Sequence, residues 1–410
     1  MKFREYTMES VLDSIIDYRG KTPKKSINGI PTLSAKSVKN NHIDYSECYF
    51  ISESEYKKFM VRGFPQKGDV LLTTEAPMGL VARLDRNGVA VAQRLLTIRG
   101  KKDVLDNGYL LYLLQSPYGQ SLLKAKETGT TVTGIKQSEF RKIVLRIPDL
   151  ETQKKIAKVL SALDDKIELN NQINKNLEEQ AQALYNSWFV EFEPFGGVVP
   201  ADWSLINLSD IAEFVGGYSY TSSELRQSTT AMATIKNFDR NKGFKLEGYK
   251  EIAPSSKLKI CQYVDLFDTL VAHTDLTQKA EVIGNAELLM SKCEYENVIF
   301  SMDLVKVVPK NKSLSKFIIA AILQDKRFKE HCLGYVNGTT VLHLSKRALP
   351  DYRFLFPSKI SMLNEFSATV EAMYRSIALN IDANIWLCKV RDTLLPKLMS
   401  GEIDVDNVEI

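Results

Sequence analysis

The residues of this chain that could do chemistry fall in a few places, and in each the neighbours point to another role. Gly20–Lys21–Thr22 ends like a phosphate-binding loop, but the glycine needed five residues earlier is Ile15, so no cradle of backbone N–H groups is expected. Asp149 and Glu151 come nearest to the clustered carboxylates of a metal-assisted nuclease. They follow Pro148 at a strand-to-helix boundary, where helix capping accounts for them. Asp164–Asp165–Lys166 lies in a helical pattern beside Leu163 and is expected on a solvated face. The four histidines (His42, His273, His331, His343) are dispersed, with no i,i+4 pair to grip a metal. A methyltransferase acting on a flipped base needs a glycine-rich cofactor loop and an Asn/Asp-Pro-Pro-aromatic motif. The sequence has neither a Pro-Pro pair nor G-x-G-x-x-G. The expectation is a non-catalytic chain with no metal and no cofactor of its own.

Binding chemistry remains. The net charge of +4 is unevenly spread: residues 1–150 hold 24 Lys+Arg against 16 Asp+Glu, and residues 200–357 hold 20 against 18. Residues 151–199 and 358–410 each hold 5 against 8. Polyanion binding therefore belongs to the two positive blocks, and the negative segments suit spacers or protein-docking surfaces. In the first block the candidate DNA readers are Lys21, Lys24, Lys25, Lys36, Lys39 and Arg62 in basic, turn-rich stretches. Thr73, Thr74 and Glu75 stand at a strand end, and Thr130, Thr131 and Lys136 surround a glycine loop. In the second block the candidates are Lys236, Asn237, Arg240, Lys242, His273, Thr274, Thr339, Thr340 and His343. Lysines suit phosphates, whereas Asn, Arg, Thr, Glu and His can reach base edges. Taken singly, each is also an ordinary surface residue. Gly-Thr-Thr-Val stands out because it occurs at 129–132 and again at 338–341. Gly129 and Gly338 could equally serve only to make a turn.

Composition is that of a soluble globular chain, 44% hydrophobic and 25% charged. No run approaches a membrane span, and the opening MKFREYTMES is no secretory signal. Five scattered cysteines without C-x-x-C spacing read as reduced, mostly buried thiols of a cytoplasmic protein. In the first block the pattern predicts a helix-like run at Val11–Tyr18. Strands are predicted at Asp69–Thr74, Leu80–Leu84, Val89–Ile98 and Ile143–Ile147, and a helix pair over Tyr109–Lys126 broken at Ser116–Pro117.

A heptad seam follows: Leu160, Leu163, Ile167, Asn170, Asn174, Leu177, Ala181, Leu184 and Trp188. Shifted by 210 it returns as Val370, Met373, Ile377, Asn380, Asn384, Leu387, Arg391, Leu394 and Leu398. Two asparagines at matching seam positions in both copies point to a register device. In an antiparallel pair Asn170 should meet Asn384, and Asn174 should meet Asn380. From Val89 to Pro148 an offset of 209 holds without a gap, so the chain is a tandem duplication of a block-plus-helix unit. The expected domains are 1–150, a helical spacer 151–193, a second block 194–357 with a Pro/Gly linker at 194–200, and a C-terminal helical spacer 358–410.

Pro148-Asp-Leu-Glu-Thr-Gln153 through Leu160, with Leu177-Glu178 to Trp188-Phe189, resembles the central region of specificity subunits of Type I restriction–modification enzymes. So do Arg391-Asp-Thr-Leu-Leu-Pro-Lys-Leu-Met-Ser-Gly401-Glu402 and Asp69-Val-Leu-Leu-Thr-Thr-Glu75-Ala-Pro77, ahead of Gln93-Arg94. The second block departs from the last pattern, reading Asp268-Thr-Leu-Val-Ala-His273-Thr-Asp275. The resemblance implies an α+β fold: two α/β target recognition domains joined by two long helices in an antiparallel coiled coil, with pseudo-two-fold symmetry. It implies double-stranded DNA as ligand and two modification subunits, which carry S-adenosylmethionine and methylate adenine. Restriction subunits using ATP and Mg would join them. The rival readings are a protein-binding scaffold of duplicated domains and an enzyme acting on DNA by itself. Salt-dependent binding to duplex DNA in the assembled complex would separate the scaffold from the specificity subunit. Residues 160–188 number 29, about 43 Å of helix, so the pair would act as a ruler of roughly 12 to 13 base pairs.

Overall fold

The computed structural model describes residues 1–408 apart from Arg19 and residues 130–132. The chain divides into two units, Met1–Ile167 with Leu387–Ile410, and Glu168–Trp386. Among the described residues no helix is long and apolar enough to cross a membrane.

In the first unit a four-stranded antiparallel sheet runs in the order Leu12–Asp17, Leu95–Gly100, Val70–Thr73, Val81–Arg83. A three-stranded sheet sets Ile30–Leu33 between Tyr49–Ile51 and a parallel Ala90–Val91. Arg4–Thr7 pairs with Val144–Ile147, and Glu127–Thr128 with Gly134–Ile135. The second unit repeats the plan. Its four-stranded order is Ala212–Gly216, Leu304–Pro309, Thr269–Ala272, Ala286–Leu288. Thr230–Ala233 lies between Lys250–Glu251 and a parallel Asn297–Phe300, and Trp203–Asn207 pairs with Arg353–Pro357. The helices obey the same offset: Asn107–Gln115 and Pro117–Lys124 return as Lys316–Gln324 and Lys326–Leu333. Ser116 explains the break, because its hydroxyl caps the second helix by accepting the Gly119 N–H at 3.1 Å while Pro117 occupies the first turn.

Two expectations about the first unit fail. Val11–Tyr18 is not helical: the helix is Met8–Val11, and Leu12–Asp17 is a strand against Leu95–Gly100. Leu12, Ile15 and Ile16 fit a helical period, but β-branched side chains with a sheet edge available favour the strand. Val89–Ile98 is likewise two strands in two sheets, separated where Arg94 takes φ +73°. The cysteines are all free, but only Cys332 is buried, and Cys261 is exposed on a surface turn.

The central helix is Leu150–Phe189 and the C-terminal helix Asn364–Ser400. Asp149 starts the first by accepting the Thr152 N–H at 3.1 Å and the Thr152 hydroxyl at 2.8 Å, which holds its carboxyl below the ordinary carboxylate range. Within each unit the helices complete the core. Ile156, Leu160, Leu395 and Leu398 join the first unit's apolar cluster, and Tyr185, Phe189, Phe366 and Val370 join the second's. No seam position is exposed. The segment after the central helix is anchored by Phe195, whose ring lies 5.7 Å from Trp188 and 5.6 Å from Trp203.

In the second unit Asn170 donates to Asn384 at 2.7 Å, and Asn380 donates to Asn174 at 2.8 Å. Residue numbers rise on one helix as they fall on the other, so the pair is antiparallel. Asn384 also donates to Asn171, off the seam, at 2.9 Å. Replacing Asn170, Asn174, Asn380 and Asn384 together with Leu should stabilise the pair by about 1 kcal/mol or more, roughly 2–4 °C in Tm. It should also loosen register. Cysteine pairs placed one heptad out of step should crosslink in the Leu variant and not in the parent; crosslinking equal in both would rule out the register role.

Candidate nucleic-acid interface

In the first unit two stretches converge where strand Val70–Thr73 ends. Ile135 donates its N–H to the Thr74 carbonyl at 2.9 Å, and Thr74 donates to the Arg94 carbonyl at 3.0 Å. Glu75 forms a bridge with Gly134 and an ion pair with Arg94 at 3.0 Å. The glycine loop is thereby pinned to the strand end by main chain. A Cβ on Gly134 would sit 2.6 Å from the Thr74 carbonyl oxygen, so only glycine permits this approach. Thr130 and Thr131 lie outside the described residues. Lys136, just past the loop, is exposed.

The second unit makes the same junction from different residues. Thr274 and Asp275 pair with His343 and Leu342, and Leu342–Leu344 pairs in turn with Val336–Asn337. Gly338 takes φ +109°, matching +110° at Gly129. Thr339 and Thr340 are exposed at the tip, and the Gln278 side chain donates to the Thr339 carbonyl. Burial, with His343 and Lys346 nearby, pushes His273 below the ordinary histidine pKa. Its ring is therefore neutral at pH 7, able both to donate and to accept. Burial raises Asp275, but the N–H groups of Val282 and Thr277 outweigh it and hold the carboxyl below its ordinary value. Asp275 thus fastens the loop.

The other candidates are divided by burial. Thr73, Thr74, Thr274 and Asn237 are 0%, 2%, 5% and 0% exposed, so their side chains face inward. Asn237 is a correction in chemistry too: its carbonyl oxygen accepts the Thr234 N–H at 2.8 Å and its amide donates to the Lys245 carbonyl at 2.7 Å. It holds a turn and is fully buried, so it does not reach a base. Thr73 accepts the Leu80 N–H at 2.9 Å, and Thr274 donates to Asp303 at 3.1 Å. Lys21, Lys24, Lys36 and Lys236 are exposed. Lys25 lies over Tyr49, 4.8 Å from the ring centre. Arg62 donates to the Asp17 carbonyl at 2.6 Å, and Lys39 to the Lys36 carbonyl at 2.8 Å. Arg240 pairs with Glu281 at 3.3 Å, and Lys242 donates to the Gln324 carbonyl at 3.1 Å.

Sequence reasoning passed over Arg94 and Lys346 as readers, although both flank the junctions. The signals were Gln93–Arg94 and the pair Lys346–Arg347 beside His343. Among the described residues no group of three or more His, Cys, Asp or Glu stands close enough to hold a metal ion. The two junctions can present side chains and backbone groups to a polyanion, with Lys136, Thr339, Thr340 and His343 exposed.

Two units of one topology, each ending in a turn-built polar junction, define a duplicated recognition protein. Residues 5–179 match the family described as the Type I restriction modification DNA specificity domain. The chain is 26% identical to the Type I restriction enzyme MjaIX specificity subunit of Methanocaldococcus jannaschii, over 95% of this chain and 91% of that one. It is 25% identical to the HindI specificity subunit of Haemophilus influenzae, over 82% and 87%. A crystal structure of the Type I restriction–modification S subunit from M. genitalium shares the fold, with a TM-score of 0.61 at 16% identity over 97% of this chain and 96% of that one. Residues 5–179 thus match the DNA specificity domain of Type I restriction–modification systems, and over most of its length the chain is similar to specificity subunits of those systems.

Proposed function

We propose that this chain is a specificity subunit that reads a bipartite duplex target, one half-site per unit, and docks two modification subunits that methylate adenine at N6. Restriction subunits join the assembled complex. The observation that carries this reading is the junction made twice with different side chains. Glu75, Arg94 and the 127–136 loop form one, and His273, His343 and the 336–344 loop form the other. Equal scaffolds with unequal reading residues suit two different half-sites. Lys21, Lys24, Lys36, Lys136 and Lys236 are assigned to phosphates, and Glu75, Arg94, His273, Thr339, Thr340 and His343 to base edges.

Docking is supported by apolar residues left on the outer faces of the helices. Leu169 and Ile173 are 48% and 39% exposed, and Leu379 and Trp386 are 70% and 62% exposed. They are spaced four and seven apart, so each pair lies on one helical face. S-adenosylmethionine belongs to the modification subunits, and ATP with Mg to the restriction subunits. The purified chain should therefore transfer no methyl group alone and do so once a modification subunit is added. Mapping N6-methyladenine in the host genome with and without this chain reads out the split motif. Methylation by the chain alone, or an unchanged map, overturns the proposal.

A further inference from the structure

The duplication supplies an internal comparison that exposes one anomaly, all of it within the second unit. Strand Ala286–Leu288 places Glu287 opposite Leu270, where the first unit places buried Ala82 opposite Leu71. Glu287 is only 7% exposed. One carboxylate oxygen accepts the Gly243 N–H at 2.8 Å. Among the described residues no side chain forms an ion pair with Glu287, and its other oxygen receives no hydrogen bond. The second oxygen opens to the space beside it and is free to accept from a donor placed there.

Glu287 lines a cavity of about 780 Å³. Two replacements by alanine across the duplication border the space, and Tyr374 stands at the offset of Asp164. In the first unit the Tyr112 hydroxyl and the Arg391 guanidinium converge on Asp164 at 2.5 and 2.8 Å. The residues at the corresponding offsets, 209 and 210, are Ala321 and Ala181, and both line the cavity. Tyr185, Tyr374, Met290 and Leu323 supply aromatic and apolar wall. Of the cations lining the cavity, Lys242 donates to the Gln324 carbonyl, Lys329 to the Glu281 carbonyl and the Asn285 side chain, and Lys175 pairs with Glu179 at 3.9 Å. Lys326 has no side-chain partner among the described residues and pairs with none of the carboxylates.

We propose that this cavity binds an organic cation, an ammonium or guanidinium on an apolar stem, with Glu287 as its counter-ion. The stem packs between the tyrosines, and the charged head reaches the free oxygen of Glu287. The cation is carried either by a free small molecule or by a Lys or Arg side chain of a protein. The groups facing Glu287 are Lys175, Glu178 and Glu179 from the central helix and Asp239 and Lys242 from the loop before Gly243. Lys326, Lys329 and Glu330 face it from helix Lys326–Leu333, with Asp325 at its cap, and Tyr374 from the C-terminal helix. Burial pushes the Glu287 carboxyl up to about 7; the Gly243 N–H and Lys242 oppose this, and Glu178 and Asp239 add to it. Below that pH the carboxyl is neutral and must lose its proton to pair with a cation. Cation binding therefore tightens as pH rises through about 7 and releases a proton below it.

Calorimetry on the full chain tests this with benzylamine, its neutral counterpart benzyl alcohol, and N-acetyl-lysine amide. Benzylamine or the lysine amide should bind at pH 8, and benzyl alcohol at least about tenfold more weakly. At pH 6 the binding heat should depend on the ionisation enthalpy of the buffer, because a proton is released. Glu287→Gln should weaken binding about tenfold or more and abolish the buffer dependence. Ala321→Tyr should close the cavity and abolish binding. Benzylamine bound as tightly as the lysine amide, or more so, assigns the site to free amines. Binding of the lysine amide alone assigns it to a protein side chain. Neither cation binding, equal binding of the alcohol, or full affinity in Glu287→Gln overturns the proposal.

Discussion

Inserting seven residues into each long helix should lengthen the unread spacer by about three base pairs and leave both half-site sequences unchanged. Seven residues preserve the heptad phase, so seam residues stay on the seam. They add about 10 Å at roughly 1.5 Å per residue, or three steps of about 3.4 Å along the duplex. Three base pairs also turn the duplex through nearly a third of a revolution, so methylation should fall as well as shift. The insertion belongs between the asparagine layers and the first unit's end of the helices, where Asn170 to Asn384 and Asn174 to Asn380 are left intact. Mapping methylated sites for the variant decides the matter. A spacer of unchanged length, or altered half-sites, would show that the helices do not set the distance.

Asp164→Asn should destabilise the first unit by about 2 kcal/mol or more. Asp164 accepts from Arg391 at 2.8 Å and from Tyr112 at 2.5 Å, and the two charged side chains are 17% and 23% exposed. The ion pair is thus shielded more than a surface pair. Burial lowers the Arg391 pKa, but the Asp164 hydrogen bond more than compensates and holds the guanidinium charged. Burial, then the Asp164 charge, raises the Tyr112 phenol and keeps it a donor. Removing the carboxylate charge leaves the half-buried guanidinium with only the exposed Asp392 carboxylate, 2.9 Å away, as counter-ion. Tyr112→Phe alone should cost only about 1 kcal/mol. Asp164→Leu combined with Arg391→Leu should recover much of the loss, because no charge then remains to be buried. Urea unfolding followed by a probe in the first unit distinguishes these outcomes. An Asp164→Asn variant of parental stability would mean that Asp392 and solvent already satisfy Arg391.

That cluster also marks where sequence reading ran out. Asp164–Asp165–Lys166 reads as a solvated face because Asp164 flanks the seam, and Asp165 is indeed exposed. Asp164 turns inward because Arg391 occupies a seam position and needs an anion. A charged residue at a seam position was the available sign. The seam itself was legible because a 3.5-residue period constrains many positions at once. The helix pair at 107–124 was legible because Ser116–Pro117 carries its own local cap. Strand order was not, since pairing joins residues far apart: Leu12–Asp17 finds Leu95–Gly100, and Ile30–Leu33 finds Ala90–Val91. Among the DNA readers, residue type could not separate a reaching side chain from a structural one. Asn237 and His343 look equally suited to bases, yet one is spent on a turn and the other is exposed.

The first unit is closed by residues far along the chain. It leaves at Ile167 and resumes at Leu387, and its apolar cluster includes Leu395, Leu398, Met399 and Val405. During synthesis the second unit can finish folding while the first still waits for its last helical turns. A ribosome that stops before codon 387 therefore releases a product damaged at its beginning, with the later-made unit complete. Quality control would then meet exposed apolar surface near the amino terminus, and the full-length chain becomes sound only when its final segment arrives.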